Sequence, residues 1–357
     1  MTPADPVRIL VAVPALNEAA HIEACIASLM APEAEMARVR IVVVDGGSTD
    51  GTQARLRALR DRFPNLTVID NPLRLQSAAL NRVVATCAAP ANDILVRCDA
   101  HSVYPRRYVL DVAESLLARD AAVLATCMDA GGTSGFQRAA AWLADARIGS
   151  GGAAHRGGRI SGYVDHGPHA GFRLDWFRRV GGYDASFSHN EDAELDHRIA
   201  LAGGRIWLDA GIRVAYSVRP TLAALARQYW TYGRGRARTV RKHRLRPRLR
   251  QMLPPLLVAA LLLGLPLAPA TPLALLPAAA YAAAVAMVSL IALMRMRRFC
   301  GLWAGPAMAA MHLAWGVGFL VETGFGHPGA LPDYPDATVT ASRRQAARRP
   351  GGRTVSG

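Results

Sequence analysis

Four short apolar runs in the first hundred residues, each followed by a polar cluster, constrain this chain more than any other feature. Residues 9–13 (Ile-Leu-Val-Ala-Val), 39–44, 66–70 and 94–98 are rich in Val, Ile and Leu and read as strands. Pro14 is expected to end the first, Asp45-Gly46-Gly47 to close the second, and Asp99 to follow the fourth. Between them, residues 19–30 carry Ile22, Cys25, Ile26 and Leu29 at helical spacing. Residues 52–62 follow the N-cap candidates Ser48, Thr49 and Asp50, and residues 76–88 give a third helix. Strands alternating with helices predict an α/β fold with a mostly parallel sheet covered on both faces. Ligands in such sheets bind beyond the carboxyl ends of the strands. Residues 14–18, 45–50 and 99–101 all fall there, so three clusters far apart in sequence are expected on one rim.

The second half follows a different pattern. Residues 253–269, 273–294 and 303–320 are apolar and uncharged, each near the ~20 residues that cross a bilayer as a helix. A brief turn at 270–272 predicts that the first two form a hairpin. Basic residues 241–250 mark one end of it and Arg295, Arg297 and Arg298 the other, which places both ends in the cytoplasm. If the third segment crosses, an arginine-containing tail lies outside, against the same rule; crossing and dipping back both stand. The tail has a disordered composition.

The whole net charge of +15 belongs to residues 227–357, because residues 1–226 hold as many arginines as acidic residues. A nucleic-acid-binding domain carries its charge on the folded domain itself, whereas here the charge flanks apolar segments, as anionic lipid requires. With 51% hydrophobic residues the chain is not a disordered one. Its five cysteines are widely spaced, with no CxxC pair, which fits a reducing compartment and argues against a disulfide framework or zinc site. The first apolar run is too short for a secretory signal core, so no signal peptide is expected.

Five groups of residues carry chemistry. Pro14-Ala15-Leu16-Asn17-Glu18 follows a strand, where polar groups can contact a nucleobase. Asp45 to Thr52 combines glycines, which allow close approach of a ligand, with a carboxylate that can accept a hydrogen bond from a base or ribose. Arg97-Cys98-Asp99-Ala100-His101 sets a carboxylate and an imidazole two residues apart, able to share a divalent cation. His189 to Asp196 crowds four carboxylates at a helix start, where like charge raises a carboxylate toward the range of a general base. Residues 221–250 place Leu222, Leu225, Ala226 and Tyr229 on one helical face and Arg227, Arg234, Arg238 and Arg241 on another. This predicts an amphipathic helix lying on the membrane, with Gly233 and Gly235 as weak points.

Taken together, these motifs resemble the family 2 inverting glycosyltransferases of GT-A fold, from Ile9 to about Arg250. The closer details are Asn71-Pro72-Leu73-Arg74-Leu75-Gln76-Ser77, Asp99-Ala100-His101, Asn190-Glu191-Asp192-Ala193-Glu194-Leu195 and residues 228–236. They look most like the succinoglycan-type glucosyltransferases of bacterial exopolysaccharide synthesis. The resemblance implies that Pro14, Glu18 and Asp45 hold the base and ribose of a nucleotide-sugar donor. It adds Asn17, Gly47, Arg74, Arg97, Glu191, Arg234 and Arg236 to the donor site. It makes Asp99 a ligand of Mg2+ or Mn2+, with His101 where the family has a second aspartate, and Asp192 the base that deprotonates the acceptor. Processive members carry Gln-x-x-Arg-Trp; this chain has Gln228 and Arg234 at a wider spacing, so one sugar per encounter is expected.

The expected organisation is a cytoplasmic GT-A domain over residues 1–220, a basic interfacial helix over 221–250, a membrane region of two to three helices over 251–325, and a tail over 326–357. The chain is then a multi-pass protein of the bacterial inner membrane. The resemblance implies UDP-glucose as donor, and the basic helix and membrane segments fit a lipid-diphosphate-linked saccharide as acceptor. A transporter is disfavoured, since no charge precedes Glu322 in the apolar segments. A dinucleotide oxidoreductase is disfavoured because Gly233-x-Gly235 does not follow a strand.

Overall fold

The structure, a computed structural model, describes residues 8–30, 36, 38–89 and 92–325; the tail lies outside them. Eight strands form one sheet in the order β3-β2-β1-β4-β7-β5-β8-β6. The parallel half is β1 (Arg8–Ala15), β2 (Val39–Asp45), β3 (Leu66–Asp70) and β4 (Asn92–Arg97). β5 (Val123–Gly131) and β8 (Ile206–Ser217) are also parallel to each other. β7 (His169–Arg173) is wedged antiparallel between β4 and β5, and β6 (Gly162–Val164) lies antiparallel on β8. The order reverses at β1, with β2 on one side and β4 on the other, which opens a crevice at their carboxyl ends.

Alternation along β1 explains the double covering. Ile9, Val11 and Val13 pack under α1 (Ile22–Leu29), α2 (Thr52–Arg62) and α4 (Tyr108–Leu117). Leu10 and Ala12 pack under α3 (Gln76–Cys87), α7 (Leu174–Arg179) and α8 (Glu191–Leu201). Each large side chain so buried contributes about 1.5–3 kcal/mol. Pro14 does not end β1, which continues to Ala15 with Pro14 opposite Val44. The carbonyl of Ala12 accepts from Cys98 on the β4 side and that of Ala15 from Gly46 on the β2 side. The missing N–H of Pro14 therefore faces β4, whose pairing with β1 stops at Ala12 and Arg97, and no ladder bond is lost. The first helix starts at Ile22, later than residue 19, because Glu18 and Ala19 donate their N–H groups to the neighbouring loop.

Beyond the sheet, α10 (Leu249–Leu267), α11 (Leu276–Met296) and α12 (Ala304–Phe325) belong to the three segments long and apolar enough to cross a membrane. The prolines of the first, Pro254, Pro255 and Pro266, lie inside a continuous α10. A third apolar cluster joins these helices to the sheet-bearing half: Ala139 and Leu143 of α5 (Gly135–Asp145) pack with Leu225 of α9 (Leu222–His243), Ala292 of α11 and Met308 of α12.

The basic helix differs from expectation. α9 lies between α12 and the loop before α8, and its glycines are contact points. A Cβ on Gly233 would stand 2.1 Å from the Trp315 carbonyl oxygen, one on Gly318 would stand 2.3 Å from that of Trp230, and one on Gly235 would stand 2.6 Å from Asn190 Cβ. Nor is its arginine face given over to lipid. Arg234 and Arg241 each reach a Glu322 carboxylate oxygen at 3.0 Å and Arg238 reaches it at 3.5 Å, closing over a side chain only 2% exposed. An acidic group in α12 attracts the cations one turn apart on α9, and burial of Glu322 strengthens the attraction.

Candidate active site

Two loops at the sheet crevice are laced together. The backbone N–H of Asn17 donates to Ser48 Oγ at 2.8 Å, that of Glu18 to Thr52 Oγ1 at 2.8 Å and that of Ala19 to Asp50 at 3.0 Å, while Asn17 Oδ1 accepts from Thr49 N–H at 2.9 Å. Positive φ at Gly47 (77°) and Gly51 (99°) turns the second loop into α2, and Gly51, not a Ser or Asp, is the N-cap. Asp50 still serves that end by accepting from Thr52 N–H at 3.0 Å. Asp45 is buried and accepts from Gly47 N–H at 3.2 Å, Ser48 N–H at 3.1 Å and Gln53 Nε2 at 2.9 Å. Its carboxylate organises the loop.

The end of β4 supplies the second group. Asp99 Oδ1 accepts from Gln76 Nε2 at 2.8 Å, and its side chain remains 39% exposed. His101 is 63% exposed, with Nδ1 3.2 Å from Glu18 Oε1. Arg97 stands 3.8 Å from Asp99 and 3.9 Å from Glu191, donates to the Tyr183 hydroxyl at 3.1 Å, and makes its shortest contact with Asp192.

The third group is the acidic start of α8, which the fold divides. Glu194 faces α9 and pairs with Arg198, Lys242 and His243. Asp192 and Asp196, one helical turn apart, hold His169 between them: Nδ1 is 3.2 Å from Asp192 and Nε2 is 2.7 Å from Asp196. The other oxygen of Asp196 meets His166 Nδ1 at 2.7 Å, and the Tyr183 hydroxyl bridges His169 at 2.6 Å and Asp192 at 3.1 Å.

This arrangement separates the acidic groups electrostatically. Burial pushes Asp192 up, but Arg97 and His169 outweigh it and hold the carboxyl far below the usual range. Burial, then the charge of Asp192, pushes the adjacent Glu191 up to about 7. Burial alone would neutralise His169, yet Asp196 and Asp192 raise it to about 10, so it is an imidazolium at neutral pH. Crowding therefore raises Glu191, whereas Asp192, the base that the resemblance implies, is held low.

One cavity of about 1730 Å³ runs along this rim. Pro14, Glu18, Arg74, Arg97, Asp99, His101, Glu191, Asp192 and Arg236 line it, so most residues singled out from the sequence converge. Asn17, Asp45 and Gly47 stand behind its lining, shaping the loops. Arg234 is directed away, to Glu322. His166, His169 and Tyr183 were not expected from the sequence, and Gln76 stood in the Asn71–Ser77 motif without a role. The spacing His166-Gly-Pro-His169 and the i,i+4 pair Asp192 and Asp196 were the available signals.

Among the described residues no three potential metal ligands form a cage. Asp99 and His101 nevertheless fit a cation brought by a diphosphate. Gln76 engages one Asp99 oxygen and Glu18 one His101 nitrogen, so the second oxygen and the second nitrogen are the atoms that would hold it.

A mostly parallel sheet with acidic and basic groups along the rim of its crevice is the GT-A arrangement of nucleotide-sugar transferases. A mannosyltransferase of Pyrobaculum calidifontis, solved in complex with GDP-Man and Mn2+, shares the fold with a TM-score of 0.56 at 21% identity over 88% of this chain and 86% of its own. Glycosyl transferase family 2 is matched over residues 10–181. The succinoglycan biosynthesis protein ExoA of Rhizobium meliloti is 44% identical over 313 residues, 88% of this chain and 94% of that protein. The chain belongs to glycosyl transferase family 2 and is a glycosyltransferase.

Proposed function

We propose that this chain transfers a hexose, glucose from UDP-glucose, with inversion onto a lipid-diphosphate-linked saccharide at the cytoplasmic face of the bacterial inner membrane, as a step of exopolysaccharide synthesis. The observation that carries the acceptor class is the single cavity that reaches from Asp99 and Asp192 to Leu253, Leu257 and Trp315 of the apolar helices. The donor, pathway and compartment rest on likeness to the succinoglycan protein.

In this reading the nucleotide lies across the laced loops, with Pro14 and Glu18 toward the base and ribose and Arg74 and Arg97 toward its phosphates. Mg2+ or Mn2+ held by Asp99 and His101 would neutralise the diphosphate as it leaves. Asp192 accepts the proton of the acceptor hydroxyl as that oxygen attacks the anomeric carbon from the face opposite the diphosphate. His169 and Asp196 fix its carboxylate, and Arg97 stabilises charge on the donor side. A second reading is favoured by one observation: Glu191, raised to about 7, is better matched than Asp192 to taking a proton at neutral pH.

Purified protein in detergent, given a panel of radiolabelled nucleotide sugars and a polyprenyl-diphosphate-linked hexose, tests the proposal. We expect transfer from UDP-glucose and a β-linked product from the α-linked donor. Retention of the anomer sinks the single displacement. Transfer only to water or to free sugar sinks the lipid-linked acceptor.

A further inference from the structure

The cavity does not end at Asp192. It continues under α9, whose Tyr232 and Arg236, four residues apart, share the face that lines it. Opposite stand His155 and Arg156, from the segment after α6 (Arg147–Ser150). At the far end Leu253 and Leu257 of α10 and Met311 and Trp315 of α12 join the lining, beside Arg250, Gln251 and His312.

Two buried polar atoms in this limb lack hydrogen-bond partners, and a third, half-buried group lacks an ion-pair partner. Arg156 lies over the Tyr216 ring at 4.5 Å, but its Nη1 is buried with no hydrogen-bond partner, and His155 Nδ1 is in the same state. Leaving such atoms orphaned in a protein interior is costly. Arg236 makes no ion pair or side-chain hydrogen bond among the described residues, unlike its neighbours Arg234 and Arg238. Burial, with Arg248 nearby, lowers its pKa, the sign of a cation short of a counter-charge. Burial pushes His155 down to about 3, so its ring is neutral and able to hydrogen-bond without adding charge. The ligand that satisfies these groups is anionic at one end and hydrocarbon at the other. The donor's diphosphate is assigned above to Arg74, Arg97 and Asp99, which leaves these groups to a different anion.

We propose that Arg156 and Arg236, assisted by His155, form a second anion subsite that holds the diphosphate of a polyprenyl-diphosphate-linked acceptor, with its hydrocarbon between α10 and α12 and its sugar toward Asp192. This rests on the acceptor class proposed above and adds where that acceptor is read. It moves Arg236 from the donor to the acceptor. Bidentate guanidinium contacts suit a diphosphate, and the apolar side chains of α10 and α12 suit the isoprene units beside it.

The test uses the full chain in detergent with geranylgeranyl diphosphate, geranylgeraniol and inorganic diphosphate as probes, and Mn2+ with UDP to report the donor site. Wild type should bind geranylgeranyl diphosphate at least ten-fold more tightly than either geranylgeraniol or inorganic diphosphate. Arg156→Gln and Arg236→Gln should each weaken it at least ten-fold and leave UDP affinity unchanged, whereas Arg205→Gln, which changes a surface charge paired with Asp120 away from the cavity, should do neither. If a glutamine variant also loses UDP, the lysine variant is read instead, and several-fold weakening is expected because a point charge replaces a fork. Variants that bind the lipid diphosphate like wild type overturn the subsite and leave the acceptor class standing. A wild type that does not prefer the lipid diphosphate overturns both.

Discussion

Two demands meet at Asp192 if it is the base proposed above: a proton acceptor has to be ionised, yet a carboxylate held too firmly by cations accepts poorly. Arg97 and His169 supply the first and oppose the second, and Glu191, pushed up to about 7, stands in the complementary position. Asp192→Asn should reduce transfer by at least 10²-fold with UDP binding nearly intact; turnover close to wild type would remove it as the base. The adjacent pair should give kcat an acid limb near pH 7 that Glu191→Gln abolishes, a profile that belongs to the two carboxyls together. Asp99→Ala should remove the Mn2+-dependent part of UDP affinity, read by titration with and without the metal, and His101→Ala should weaken it less because imidazole suits a hard cation poorly. His169 makes a stability prediction. Its folded pKa of about 10 lies above the unfolded value of 6.5, so its stabilisation is complete below pH 6.5 and is lost as pH rises toward 10. Thermal unfolding in detergent should shift down across that window, and His169→Gln should start lower at pH 7 and vary less.

Among the elements, the strands and their rim were legible because residues 9–13, 39–44, 66–70 and 94–98 are patterned by the sheet alone. The Pro14 boundary was not, since what decides it is where β4 stops pairing. The same limit governed the site. Asp99 and Asp192 announce themselves beside strand and helix ends, whereas His169 acquires its role only when β7 is inserted antiparallel beneath α8. Arg234 shows it most plainly: its partner Glu322 lies 88 residues along the chain, so helical periodicity could describe its face and not what faces it. α9 was legible as a helix and illegible as a packed one. Gly233→Val should lower the melting temperature through a clash with the Trp315 carbonyl, at a cost of roughly 1–3 kcal/mol. A melting curve like wild type would mean that α9 and α12 do not cross so closely.

For the molecule as a whole, the uneven charge acquires a structural meaning: part of it ties α9 to α8 on one side and to α12 on the other. Lys242 and His243 fasten α9 to Glu194 of α8, and the arginines of the same helix close on Glu322. A chain cut after His243 should therefore be poorly soluble and should lose UDP binding, measured by size-exclusion chromatography and titration, because Leu143 and Leu225 lose the cover of Met308 and its neighbours. A truncated chain that stays monodisperse and binds UDP normally would show the catalytic half to be independent. The two-sided glycine contacts of α9 carry a mechanical corollary. With Gly233 against Trp315 and Gly235 against Asn190, no side chain on either face can absorb a displacement, so tilting α12 to match a thinner or thicker bilayer should shift the residue next to Glu191. Turnover should then depend on acyl-chain length in reconstituted vesicles, passing through a maximum, while the enzyme in detergent micelles sets a reference free of bilayer strain.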